Sequence, residues 1–411
     1  MNDGLSFRSF PGAAMRWLAL LAASANGVIL TQTGVLRNIS QPTGIAALYN
    51  GSTAFVLSTA TSPLESDKLL SIDFSDPSQP TIVSEYTNQF GNANGIILDA
   101  EGTHALVVSS QVNGLMVIDV STAAMPSLVG VVSDGSIMSG PSALVLSPTD
   151  SSLVIVVSWG ADALVIASIA VRDSPAVVGH VIDTLRLKNA AGVAAMNDRA
   201  FVASNGYDAV VVVDISTPAS PFVASYLQET RLQGARGIVL LPGTSTLAVT
   251  CTQRSSLTLV NIQTGTPVIE GEYRDVDGEV QSRKAYRVAA VPGTQLVALT
   301  AKGLVTKDVG DTLLLLDVST PSSPFLVSSV APGTLGGAQS LFVHGDLVFV
   351  AGHDAGQLNL LLITPPPSPP PPPSTPLPPL PPPPAPPPPM LPPPSPLPPS
   401  PPSPADRKSV V

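Results

Sequence analysis

Four carboxylates recur in one setting along the chain. Asp73, Asp119, Asp214 and Asp317 each end an apolar run and stand two residues before Ser75, Ser121, Ser216 or Ser319. A carboxylate so placed accepts the backbone N–H two residues on and fixes a turn. Repetition at equivalent positions marks a structural role, because general acid–base chemistry needs one convergence of carboxylates and not four separate copies. Ser168 and Asn261 hold the same position in two further runs and are able to accept the same bond, whereas Leu362 in the last run is not. Asp214→Ala is expected to cost about 1–2 kcal/mol, the penalty for a lost buried acceptor, and to leave ligand binding untouched.

The other chemistry-bearing residues do not converge in the sequence. His104, His180, His344 and His353 lie in different units without metal-ligand spacing; His104 and His344 fall at hairpin turns, where solvated side chains are expected. The lone Cys251 ends the apolar run LAVTC and reads as a packing thiol. With one cysteine, internal disulfides and Cys-rich zinc sites are excluded. No nucleophile elbow, HExxH helix, phosphate loop or dinucleotide fingerprint occurs in a suitable context. Catalytic residues, cofactors and bound metals are therefore not expected. Asp275, Asp277 and Glu279 alternate as in a calcium loop but lack its glycine and final bidentate Glu.

Loops that break a repeat are where function is added, and two adjacent insertions, 272–287 and 301–311, do so. With Arg236 and His353 they are expected on one face. The candidate partner-binding patch is Arg236, Arg274, Asp275, Asp277, Glu279, Arg283, Lys284, Arg287, Lys302, Lys307, His353 and Asp354. Asn38 and Asn50 each begin an Asn-x-Ser acceptor sequon for glycosylation.

The elements that must position these residues are strands. Runs reading LLSIDFS (69–75), LMVIDVS (115–121), VVVVDIS (210–216) and LLLLDVS (313–319) share one pattern, with looser copies at 164–170, 257–263 and 358–364. Their fifth positions are spaced by 46, 49, 46, 47, 56 and 45 residues, the length of a propeller blade. A proline follows by seven residues at Pro80, Pro126, Pro175, Pro221 and Pro324, and by six at Pro267. Two apolar runs joined by a tight turn precede each copy, and a fourth short run follows the proline. Near-continuous Val, Ile and Leu indicate strands covered on both faces. The count predicts an all-β, seven-bladed β-propeller over 28–364. The last unit lacks a fourth strand, so the orphan run 28–37 is expected to complete it and lock the ring.

The chain resembles the LVIVD-repeat propellers, named for the strand that here reads LMVID, VVVVD and LLLLD. That resemblance implies the fold and a group rich in cell-surface and exported proteins, and it carries no catalytic signature. With tryptophan only at positions 17 and 159, the chain does not resemble WD-repeat propellers.

The flanks differ in composition. Residues 1–25 place Arg8 and Arg16 before a short apolar run and small residues, the pattern of a signal peptide; a disordered extension and a transit peptide are the alternatives. That run is too short for a transmembrane segment. Residues 365–404 hold 28 of the 45 prolines and predict a polyproline II tail, followed by a short tail at 405–411. Its Ser-Pro blocks, such as Ser368-Pro369 and Ser395-Pro396, resemble those of hydroxyproline-rich, extensin-like cell-wall glycoproteins. A net charge of −10 argues against nucleic acid as a partner. The expected function is a monomeric, non-enzymatic, secreted or cell-wall propeller that binds a protein or glycan, with the tail as tether or spacer. Two alternatives stand beside it: a cation-dependent hydrolase or lactonase at the channel mouth, and a cytosolic scaffold whose tail recruits WW, SH3 or profilin-type domains.

Overall fold

A computed structural model describes residues 28–48, 51–60, 66–88, 90–274, 284–301, 311–331, 333–364 and 395–397. Seven four-stranded antiparallel sheets account for nearly all of them, with one short 3-10 turn at Thr230–Leu232 and no α-helix among the described residues. Blades 1 to 6 span residues 42–87, 93–133, 141–182, 190–228, 235–274 and 285–329, each a meander of consecutive strands. In blade 7 the strands Ala338–His344, Leu347–Gly352 and Gln357–Thr364 are joined at the outer edge by the first strand, Ile29–Arg37. Ile29 stands opposite Thr364 and Arg37 opposite Gln357. The seven-bladed ring, closed by the N-terminal strand, is as the repeat requires.

Strand composition follows position in the blade. Second and third strands are buried on both faces, because neighbouring blades cover them. The run Leu313–Leu316 shows this: Leu314 and Leu316 pack with Leu257 and Leu259 of blade 5, and Leu313 and Leu315 with Val348 and Val350 of blade 7. Each such leucine contributes about 1.5–3 kcal/mol by burial. Outer strands alternate, as in Phe222–Gln228, because only one face meets the next blade.

Stacking is tightest where an outer strand meets the third-to-fourth-strand turn of the following blade. A Cβ on Gly34 would lie 2.1 Å from the Pro77 carbonyl oxygen, so only glycine fits on the closing strand. Blades 1 and 4 carry serine at the corresponding places and use the space for a bond: Ser84 Oγ donates to Ala123 O and Ser225 Oγ to Gly265 O.

The recurring acidic residues form the expected turn hydrogen bonds. Asp73, Asp119, Asp214 and Asp317 accept the N–H of the serine two residues on at 2.8–3.0 Å. Ser168 Oγ accepts from Ala170 N–H, and Asn261 Oδ1 from Gln263 N–H. These groups are partly exposed rather than buried, which lowers the expected cost of Asp214→Ala below the range given for a buried acceptor. The expectation of a solvated His104 is corrected: its Nδ1 lies 2.9 Å from the buried Asp99 Oδ2, and Arg172 of blade 3 reaches the same oxygen at 3.2 Å. Burial pushes the Asp99 carboxyl up, but hydrogen bonds from His104 and Thr103 outweigh it and hold the group below its ordinary value. His344 packs edge-on against Phe74 at 5.6 Å and is half-buried rather than free in solvent.

Candidate functional site at the channel mouth

Every innermost strand begins with a register shift against its neighbour, at Pro42/Gly44, Ala93/Gly95, Pro141/Ala143, Ala190/Gly192, Ala235/Ile238, Ala285/Arg287 and Ala338/Ser340. A bulge re-aims the side chain it carries. The ring therefore offers one bulged residue per blade: Thr43, Asn94, Ser142, Ala191, Arg236, Tyr286 and Gln339. The next position holds Gly44, Gly95, Ala143, Gly192, Gly237 and Ser340 in six blades but Arg287 in blade 6. Small residues are needed there because inner strands approach closely; a Cβ on Gly192 would lie 2.3 Å from the Arg236 carbonyl oxygen.

Arg287 thus breaks the pattern of the ring, and Arg236 stands at the bulge of the adjacent blade. With Asn94, Ser110, Ser142 and Trp159, the two arginines line a cavity of about 230 Å³. Both are half-buried. The Arg236 guanidinium sits 4.0 Å from the Tyr286 ring centroid and 5.5 Å from that of Trp159, and donates to the Tyr286 hydroxyl. Its buried Nε has no hydrogen-bond partner among the described residues. Arg287 lies 5.8 Å from the Tyr286 centroid and reaches to within 3.5 Å of the Asn94 carbonyl oxygen in blade 2. Burial, and then the like charge of Arg236, push the Arg287 guanidinium down to about 10; it still carries its charge at neutral pH.

The backbone leading into these strands is fixed by side chains of the preceding blade. Asn113, Asp162 and Asp208 accept the N–H of Gly140, Asn189 and Gly234, each just before an inner strand. Ser255 Oγ accepts from Lys284, and Asp311 from Gly337 and Ala338. Asn189 and Lys284 adopt left-handed φ values of 54° and 53°, a conformation that asparagine tolerates better than lysine. These clasps were not anticipated from sequence. The available signal was a polar residue in each turn between second and third strands, about 26–29 residues ahead of the residue it holds.

The described members of the predicted patch occupy three places. Arg236 and Arg287 share the channel mouth. His353 and Asp354 line a separate cavity of about 420 Å³ at the closure seam, with Arg37, Asn38 and Gln41, and His353 Nδ1 lies 2.8 Å from Asp354 Oδ1. Arg274 is exposed at the end of the outermost strand of blade 5, and exposed Lys284 leads into blade 6. Asp275, Asp277, Glu279, Arg283, Lys302 and Lys307 lie outside the described residues, as do Asn50, the signal-like segment and nearly all of the proline-rich tail. Asn38 is exposed. Cys251 is buried, and desolvation pushes its thiol up to about 12, as suits a packing residue. Among the described residues no three His, Cys, Asp or Glu side chains come together as a metal site, and no helix is long and apolar enough to cross a membrane.

The architecture defines a class, the seven-bladed β-propellers, and comparison with known proteins agrees. The beta-propeller domain of Cps50 (Swd1) from Myceliophteria thermophila is similar over 82% of this chain and 100% of that chain, with a TM-score of 0.62 at 12% identity. A functionally unknown protein from Desulfotomaculum acetoxidans is similar over 81% of this chain and 98% of that chain, with a TM-score of 0.58 at 12% identity. At such identities the likeness is one of fold alone. The LVIVD repeat model matches residues 65–88, 101–134, 188–227 and 307–331, the stretches that contain Asp73, Asp119, Asp214 and Asp317. The chain carries LVIVD repeats. No curated protein matches it.

Proposed function

We propose that this chain is a non-enzymatic binding propeller acting outside the cell or in a cell wall. Its channel-mouth face takes a protein or glycan partner, and its proline-rich segment serves as tether or spacer. One observation carries the reading. Six blades keep small residues after the bulge, and blade 6 replaces the small residue with Arg287, beside Arg236 and Trp159, where stability alone does not require a charge. Guanidinium, indole, amide and hydroxyl groups are the chemistry of recognition. The signal-like start, the Ser-Pro blocks and the exposed Asn38 sequon support export. Mass spectrometry of the tagged full chain, together with its localisation, tests that half: loss of residues 1–25, hydroxylated prolines and a glycan at Asn38 are expected, while a cytosolic signal with unmodified prolines overturns export. Binding of the full chain to an immobilised glycan and protein array tests the other half. Capture that disappears in Arg236→Gln is expected, and capture indifferent to both Arg236→Gln and Arg287→Gln overturns the use of this face.

A further inference from the structure

Among the described residues, the channel mouth carries a positive charge that no carboxylate beside it offsets. Four other described arginines are paired with acids: Arg172 with Asp99 and Glu101, Arg186 with Asp183, Arg231 with Glu229, and Arg254 with Glu272. Arg236 and Arg287 have no carboxylate within 4 Å among the described residues and are set against each other instead, in a chain whose net charge is −10. Two like charges in a partly desolvated place repel more strongly than in water. A fold that only needed to plug its channel would do so with apolar side chains at lower cost.

We propose that the channel mouth is a binding site for a single oxyanion group, of the carboxylate, phosphate or sulfate type, held between Arg236 and Arg287 with Trp159 beside it. The planar guanidinium offers parallel N–H donors that match the two oxygens of such a group, and the buried Arg236 Nε has no acceptor among the described residues. Asn94 and Ser110 add polar atoms to the lining. The volume suits a head group and not a whole large ligand, since sites for drug-sized molecules run from about 300 to 1,000 Å³. Bound negative charge would cancel the repulsion between the arginines, so binding and relief of strain act together. This inference rests on the binding reading above and narrows the partner to one that presents an acidic head.

Trp159 supplies the reporter. The chain has only two tryptophans, so Trp17→Phe leaves Trp159 as the sole tryptophan, read by selective excitation, 5.5 Å from the Arg236 guanidinium. Full-length Trp17→Phe protein is titrated with sodium phosphate, sodium sulfate and sodium glucuronate, each against sodium chloride at equal ionic strength. A saturable change in emission with at least one oxyanion is expected, weakened at least tenfold by Arg236→Gln or Arg287→Gln, with Arg287→Lys intermediate. Circular dichroism selects the variants that remain folded. Calorimetry of the wild-type chain repeats the measurement without relying on fluorescence. A preference for phosphate, sulfate or glucuronate fixes the head group, and each such preference supports the site. Responses equal to chloride, or unchanged in the folded variants, overturn it. If free oxyanions bind while the array captures nothing, the partner reading fails and this one stands. Array capture that depends on Arg236 without any response to free oxyanions gives the reverse.

Discussion

The two faces of the ring obey opposite rules. On the face of the Asp-x-Ser turns, six blades solve one problem in the same way, with a side-chain oxygen of Asp, Ser or Asn accepting an N–H two residues on. At the channel mouth the seven bulged residues are all different, and the position after them is small except at Arg287. Stability shared over many equal contributions makes each one weakly important and says nothing about function. Departure from the shared solution is the informative event, because it sacrifices a packing solution used everywhere else.

The largest expected effect comes from breaking the closure that both faces depend on. Gly34→Val drives a side chain into the Pro77 carbonyl and should cost about 3 kcal/mol by overpacking; a urea midpoint close to wild type would show that the closing strand is not tightly seated. Next comes Asp208→Ala, which removes the acceptor for Gly234 N–H, two residues before Arg236. It should cost about 1 kcal/mol and also weaken oxyanion binding. Loss of stability without loss of binding would show that the clasp does not position the arginine. Arg287→Gln should do the opposite of an ordinary half-buried substitution: in the absence of oxyanions it should raise stability by roughly 0.5 kcal/mol, as relief of unfavourable charge does. A lower melting temperature would assign Arg287 to packing.

The smallest effect is expected at a shared turn. Asp214→Ala should lower stability by about 0.5 kcal/mol, the low end for a hydrogen bond at an exposed site, and leave binding unchanged. Bonds from the Ser216 hydroxyl and then its N–H hold the Asp214 carboxyl below its ordinary value. The folded chain therefore binds that proton more weakly than the unfolded chain. Its contribution is present above the unfolded pKa and is lost as pH falls through the folded one. Wild-type and Asp214→Ala stability curves should converge below about pH 4; a gap that persists in stronger acid would trace the loss to something other than the charged carboxylate.

Much of this was legible because strand repeats leave a periodic record. The LVIVD-like runs, the later prolines and the missing fourth strand of the last unit sufficed to count blades and assign the closing strand. The role of Asp214 as a turn acceptor could be inferred from its offset to Ser216 alone. Contacts between blades were not legible in the same way. His104 looked solvated because its partner Asp99 precedes it by only five residues in an ordinary hairpin turn, and because Arg172 joins the pair from another blade. Arg236 and Arg287 were both suspected from their face, but their meeting with Trp159 depends on bulges in the inner strands, whose trace in the sequence is no more than a small residue after each bulge in six blades.

The closure also sets a schedule. Ile29 lies 335 residues from Thr364, whose hydroxyl donates to its carbonyl, so a ribosome makes one half of the seam long before the other. Until the Gln357–Thr364 strand is made, the early strand is an open edge, the kind of surface that recruits wrong neighbours. The nascent blades form an arc that becomes a circle only when the final repeat emerges.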